Sequence, residues 1–146
     1  MKYFTYEELT FSETALKKRI RNKTNREIEE HLHDLVETIL DPLRIAYGKP
    51  IAVTSGYRCK EVNKAVGGVA TSQHLTGCAA DIAGATKAET RKIAQLIASS
   101  GLPFDQLIDE KSYGWVHVSY SPTGKPRRQI LRYDGKKYWN IQASEL

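Results

Sequence analysis

The chain has 146 residues, 40% of them hydrophobic and 27% charged, a length and balance that fit one soluble globular domain, residues 1–146, with a single core. No run of about 18 apolar residues occurs, which excludes a transmembrane helix, and "MKYFTYEELT" lacks the apolar segment of a secretory signal, so the expectation is synthesis in the cytoplasm without a signal peptide. The net charge of +5 favours an anionic partner such as nucleic acid, a membrane surface or a cell-wall polymer, and Cys59 and Cys78 are too few for a disulfide framework and lack zinc-knuckle spacing.

In chain order, a short helix is expected around Ser12 to Ile20. Thr24 with Glu27 reads as a capping box opening a long amphipathic helix. Its apolar stripe runs Ile28, Leu32, Leu35, Val36, Ile39, Leu40, Leu43, with a kink at Pro42 and a stop at Gly48 before Pro50. After this helical part, residues 1–48, the texture changes over 50–142. "IAVTSGYR" reads as a strand and turn, "CKEVNKAV" as a short helix, "AADIA" as a strand, and "KAETRKIAQLIASSG" as a second clear helix ending at Gly101. "FDQLIDE" and "WVHVSYS" read as strands joined by "KSYG", and "RRQILRY" with "KKYWNIQ" as a hairpin around Asp134-Gly135. Helices first and hairpins later predict an α+β fold, with helices packed on a small antiparallel sheet.

Four histidines separate by context. His31 and His33 lie two apart on a helix, ~200° around it, so they cannot chelate one ion and are expected to be solvated. In "WVHVSY", Val116 and Val118 share one strand face while Trp115, His117 and Ser119 share the other. In "AADIA", Ile82 goes to the core and Asp81 projects the opposite way. Either polar residue would be ordinary on a half-exposed sheet. His74, however, lies in a loop between Ser72 and Thr76-Gly77, and loops held by rigid strands are common ligand positions. Two imidazoles and a carboxylate are a familiar set for catalytic zinc, although spacing alone does not bring His117 to His74.

"SGYRCKEVNKAVGGVATSQHLTGCAADI", Ser55 to Ile82, resembles the zinc D-Ala-D-Ala carboxypeptidases and related L-alanyl-D-glutamate endopeptidases, the M15 peptidases. Their pattern is S-G-[YF]-R, then S-x-H-x-x-G-x-A-x-D, then a distant W-x-H-x-S strand, and "SQHLTGCAAD" matches the middle motif completely. The resemblance covers about Val53 to Tyr120. It implies a hedgehog/D-Ala-D-Ala-peptidase-like fold, zinc (Zn2+) on His74, Asp81 and His117, and substrate contacts from Arg58 and Ser72. A guanidinium at Arg58 suits that chemistry, because its fork matches a carboxylate or an oxyanion in a way lysine cannot. Ser72 could equally cap its loop, and Tyr57 reads as packing.

The chain departs from the pattern where the family often places an acid, three positions before the last histidine; here that position is Gly114. Where other members carry a histidine two before, this chain has Trp115. The nearest acids are Asp109 and Glu110. If "EKSYGW" is a tight hairpin with Glu110 opposite Trp115, Ile108 sits opposite His117, and Glu110 shares the face of His117. A one-residue bulge would give that face to Asp109 instead. The expectation is therefore a zinc peptidase acting on peptidoglycan stem peptides as a monomer, with Glu110 as catalytic base and Arg58 stabilising the oxyanion. It would act on the cell wall after phage-type release, with no membrane or nucleic-acid partner. The rival readings are a non-catalytic metal- or wall-binding module on the same fold, and nucleic-acid binding by the basic, aromatic "GKPRRQILRYDGKKYW", which otherwise reads as a solvated hairpin.

Overall fold

The apolar stripe forms one long helical element in the computed structural model, which describes residues 1–146. It begins one residue later than the capping box suggests. Asn25 caps α3 (Arg26–Leu35), its side-chain oxygen accepting the Ile28 N–H at 2.9 Å, consistent with the preference for Asn over Thr at this position. The chain then widens into a π-helical turn at Val36–Leu40 and continues as α4 (Asp41–Tyr47). Pro42 accounts for the irregularity: it has no N–H to give and its ring needs room beside the preceding turn. Gly48, at φ 76°, ends α4. Leu32, Leu35, Val36, Ile39, Leu40 and Leu43 are fully buried, each contributing about 1.5–3 kcal/mol by removal from water.

Two short helices precede this element. α2 (Glu13–Lys18) opens on Ser12, and α1 (Tyr6–Thr10) opens on a Thr5–Glu8 capping box. The buried Asp41 carboxylate accepts the backbone N–H groups of Lys2 and Tyr3, at 2.7 and 3.0 Å, and ties the N-terminal segment to α4. α5 (Lys60–Ala65) and α6 (Lys87–Ser99) fall where the sequence places them, and no helix is long and apolar enough to cross a membrane.

The strands are β1 (Ala52–Ser55), β2 (Ala79–Ala83), β3 (Phe104–Glu110), β4 (Trp115–Tyr120), β5 (Gln129–Tyr133) and β6 (Tyr138–Asn140), in one sheet of order β1-β2-β4-β3-β5-β6. The fold is α+β as expected, but the sheet is mixed rather than antiparallel, because β5 pairs with β3 in parallel. Both edges of β4 are already taken, by β2 and β3. The chain that reverses after β4 must therefore cross β3 and dock on its outer edge, where a strand antiparallel in direction to β4 runs parallel to β3.

The helices cover one face. Ile82, Val116 and Val118 join Ile93, Ile97 and the α3–α4 stripe in one core. The strand alternation that sends these residues inward turns Asp81 and His117 to the opposite face. Between β1 and α5, Gly56 passes so close to α1 that an added Cβ would lie 2.0 Å from the Leu9 carbonyl oxygen, the same oxygen that accepts the Tyr57 N–H at 2.8 Å. Gly56→Ala should therefore cost about 1–3 kcal/mol of unfolding free energy, read as a lower urea midpoint; an unchanged midpoint would contradict this close approach.

Candidate metal centre and active-site cleft

The pairing of β2 with β4 sets Asp81 directly opposite His117. His74 reaches the same point from a 3₁₀ turn, Gln73–Thr76. Ser72 Oγ caps that turn by accepting the His74 N–H at 3.3 Å, and Gly77 closes it at φ 78°. Gly77 is required twice over: its φ is left-handed, and an added Cβ would lie 2.8 Å from the Ile28 carbonyl oxygen. His31, expected to be solvated, instead donates from Nδ1 to the Thr76 carbonyl at 2.7 Å and braces the turn against α3. His33 stays on the surface beside Asp34 and Glu37.

Three atoms converge. His74 Nε2 lies 3.2 Å from Asp81 Oδ1 and 3.2 Å from His117 Nδ1, and His117 Nδ1 lies 3.3 Å from Asp81 Oδ1. All three residues are buried. His74 Nδ1 is 2.7 Å from the Gly56 carbonyl oxygen, which can only accept, so the ring proton sits on Nδ1 and a lone pair on Nε2 faces the other two atoms. His117 Nε2 is buried without a partner, leaving the Nδ1 side to orient that ring. Burial alone would raise the Asp81 pKa, but the His74 and His117 imidazoles outweigh it and hold the carboxyl well below the ordinary range. A tetrahedral ion with bonds of about 2.0 Å has ligand-to-ligand edges of about 3.3 Å. The donor types, their separations and the tautomer of His74 all fit a bound metal ion.

Around this group lies a cleft of about 850 Å³, lined among others by Arg58, Ser72, His74, Asp81, Glu110 and His117. Arg58 follows β1, its backbone N–H bonded to the His74 carbonyl at 3.1 Å. Its guanidinium makes one long contact, 3.4 Å to Ser72 Oγ, and its Nε is buried without a partner. Burial pushes the Arg58 pKa down, and the nearby Asp81, Glu110 and Tyr138 oppose that shift. The guanidinium is thus largely desolvated without being consumed by a carboxylate.

The hairpin register is the unbulged one: Glu110 opposes Trp115 and Ile108 opposes His117. Glu110 is buried in the cleft wall and accepts the Trp115 indole N–H at 2.8 Å. Burial raises its pKa above the ordinary glutamate value and the Asp81 carboxylate adds to the rise; His117, the indole N–H and Arg58 only partly offset them. Asp109 faces the other way, where its carboxylate accepts the Tyr113 N–H at 2.7 Å and pairs with Arg132 at 2.8 Å.

Two further features were hidden in the sequence. The basic, aromatic hairpin β5–β6 forms a wall of the cleft, with Leu131, Tyr133, Lys136 and Tyr138 facing it and the two tyrosine rings stacked at 4.3 Å. Only the parallel β3–β5 pairing puts it there. Buried Asp105 accepts from the Gln73 amide at 2.9 Å and from the Arg127 guanidinium at 2.7 Å, linking the residue before His74 to the crossover after β4. An acid on a strand gave no such hint.

Over residues 2–119 the chain matches the family model described as Peptidase M15. The chain belongs to the M15 peptidases, a family that is typically metal-dependent, and His74, Asp81 and His117 give it a site of the matching kind. No individual curated protein matches it. The protein should bind about one divalent ion per chain in equilibrium dialysis, and His117→Ala should weaken that binding by at least about 100-fold. Full binding in the variant would contradict the ligand set.

Proposed function

We propose that the protein is a zinc-dependent peptidase that hydrolyses a peptide bond in peptidoglycan stem peptides, as a carboxypeptidase or endopeptidase. The observation that carries this reading is the meeting of three ligand atoms, each 3.2–3.3 Å from the others, in a cleft that also holds an ionisable carboxylate and a free guanidinium. His74, Asp81 and His117 would hold zinc, which when bound would supply a Lewis acid and lower the pKa of a water to about 7.

The chain's own groups supply the rest. Glu110 takes the proton of the attacking water and returns it to the leaving amine, a task helped by a pKa lifted towards neutrality. The Trp115 indole N–H fixes which Glu110 oxygen is committed and leaves Oε1 for proton transfer. Arg58 offers its forked N–H groups to the developing oxyanion or to a substrate carboxylate, steadied by Ser72. Burial of these groups keeps their electrostatics strong. Glu110 thus fills the role of the acid that Gly114 cannot provide.

The choice of peptidoglycan is supported by the motif resemblance and by the chain's positive charge, which suits an anionic wall. In this reading the protein works as a monomer on the cell wall after phage-type release, without a membrane or nucleic-acid partner.

Digestion of purified cell walls, followed by mass spectrometry of the muropeptides, tests the reading. The zinc-loaded protein should release cut stem peptides, and Glu110→Gln should lower the rate about 10²–10⁴-fold. Because the ionised base is required and its pKa is raised, activity should fall at a higher pH on the acid side than an ordinary glutamate would give. Absence of cleavage by the wild-type protein would overturn the enzyme reading in favour of a non-catalytic wall-binding module.

A further inference from the structure

The turn after Glu110 has a backbone that its sequence does not favour. Lys111, Ser112 and Tyr113 have φ of 53°, 52° and 62°, three successive non-glycine residues in the left-handed region. L-residues visit this region singly as a rule, because Cβ crowds the following carbonyl. Strain of this kind persists only where the surroundings impose it, and here the surroundings are visible. From inside, buried Asp109 accepts the Tyr113 N–H and pairs with Arg132, which also donates to Tyr113 Oη at 3.3 Å and to the Glu145 carbonyl at 2.9 Å. From outside, the Lys111 N–H donates to the Tyr133 carbonyl at 2.8 Å and joins this turn to the turn between β5 and β6.

The joined turns bring two lysines to one place. The Lys111 ammonium lies over the Trp115 ring, 5.4 Å from its centre, and its stem passes Gly135, where a Cβ would meet Lys111 Cε at 3.8 Å. Lys136, from the second turn, lines the same cleft. Neither lysine is in an ion pair, whereas Arg127, another cation of the cleft, is committed to Asp105. The two acids of the cleft, Asp81 and Glu110, lie with the ligand group and the base. One rim of the cleft is therefore cationic and unneutralised, with aromatic rings beneath it.

We propose that Lys111 and Lys136 form a carboxylate-binding subsite, so that the protein selects peptides with a free carboxylate beside the scissile bond over their carboxamide counterparts. This rests on the peptidase reading and names its substrate class more closely. The rings of Trp115, Tyr133 and Tyr138 provide surface for the apolar body of the peptide, and the lysines hold its charge. Flexible point charges at a wet rim discriminate by sign rather than by geometry, so each contributes modestly.

Calorimetric titration tests the subsite without depending on turnover. The zinc-loaded Glu110→Gln protein, in which the peptide survives, is titrated with L-Ala-γ-D-Glu-L-Lys and with the same peptide carrying a carboxamide at the glutamate α-carboxyl. The free acid should bind about tenfold more tightly, and Lys111→Met and Lys136→Met should each lower that ratio about threefold, as exposed ion pairs do. Lys137→Met, on the same turn but outside the cleft, should leave the ratio unchanged. Lys136→Met and Lys137→Met sit on an exposed hairpin turn, and near-ultraviolet circular dichroism checks that each variant keeps its fold. Equal binding of the two peptides, no binding of the free acid, an unchanged ratio in both cleft variants, or an equal loss in Lys137→Met would each overturn the proposal. If the ratio behaves as expected but the zinc-loaded wild-type protein cuts neither peptide, the peptidase reading fails and the subsite stands.

Discussion

Three electron-rich atoms held 3.2–3.3 Å apart in a buried place are the constraint around which this protein is arranged. His74 Nε2 cannot carry the proton, because the Gly56 carbonyl claims it at Nδ1. Its lone pair therefore faces a carboxylate that burial alone makes expensive to ionise. Such a set is unfavourable in a bare core and favourable around a cation. Several parts of the fold serve it. Gly56 runs against α1 to place its carbonyl, Gly77 closes the 3₁₀ turn beside α3, and the β2–β4 register sets Asp81 against His117.

The division of the sheet into two faces is what permits this. Helices α3, α4 and α6 take the apolar face and supply the stability. The opposite face is then free for groups that contribute nothing to packing: Asp81, His117, and Glu110 at the end of β3. The β5–β6 hairpin extends that face beyond β3 and turns a flat polar surface into a cleft. Glu110 sits at the junction of the two, which is why it is buried enough for its pKa to rise while still lining the cavity.

Much of this was legible in the sequence. The heptad-like stripe of α3 and α4, the α6 pattern and the alternation in "WVHVSY" are local signals, and local signals report periodicity and face. The motif "SQHLTGCAAD" carries the loop-to-strand relation of His74 and Asp81, whereas the turn length leaves the face open to Glu110 or Asp109 and only the unbulged register gives it to Glu110. The parallel docking of β5 on β3 was not legible, because it follows from which edges are already occupied. With it went the part played by Tyr133, Lys136 and Tyr138 in the cleft. The bracing role of His31 is hidden from local periodicity for the same reason: its partner, the Thr76 carbonyl, is 45 residues away. No residue of the left-handed run Lys111–Tyr113 is a glycine; the strain is imposed by Asp109, just before the turn, and by Arg132, which reaches it from β5.

The central claim is that His74 Nε2, Asp81 Oδ1 and His117 Nδ1 are preset as three corners of a tetrahedral metal site. X-ray absorption at the zinc edge of the zinc-loaded protein tests it most directly. The account predicts four light-atom ligands at about 2.0 Å, with the outer-shell signature of two imidazoles. A six-coordinate, oxygen-only shell, or a signature of one imidazole or none, would contradict it.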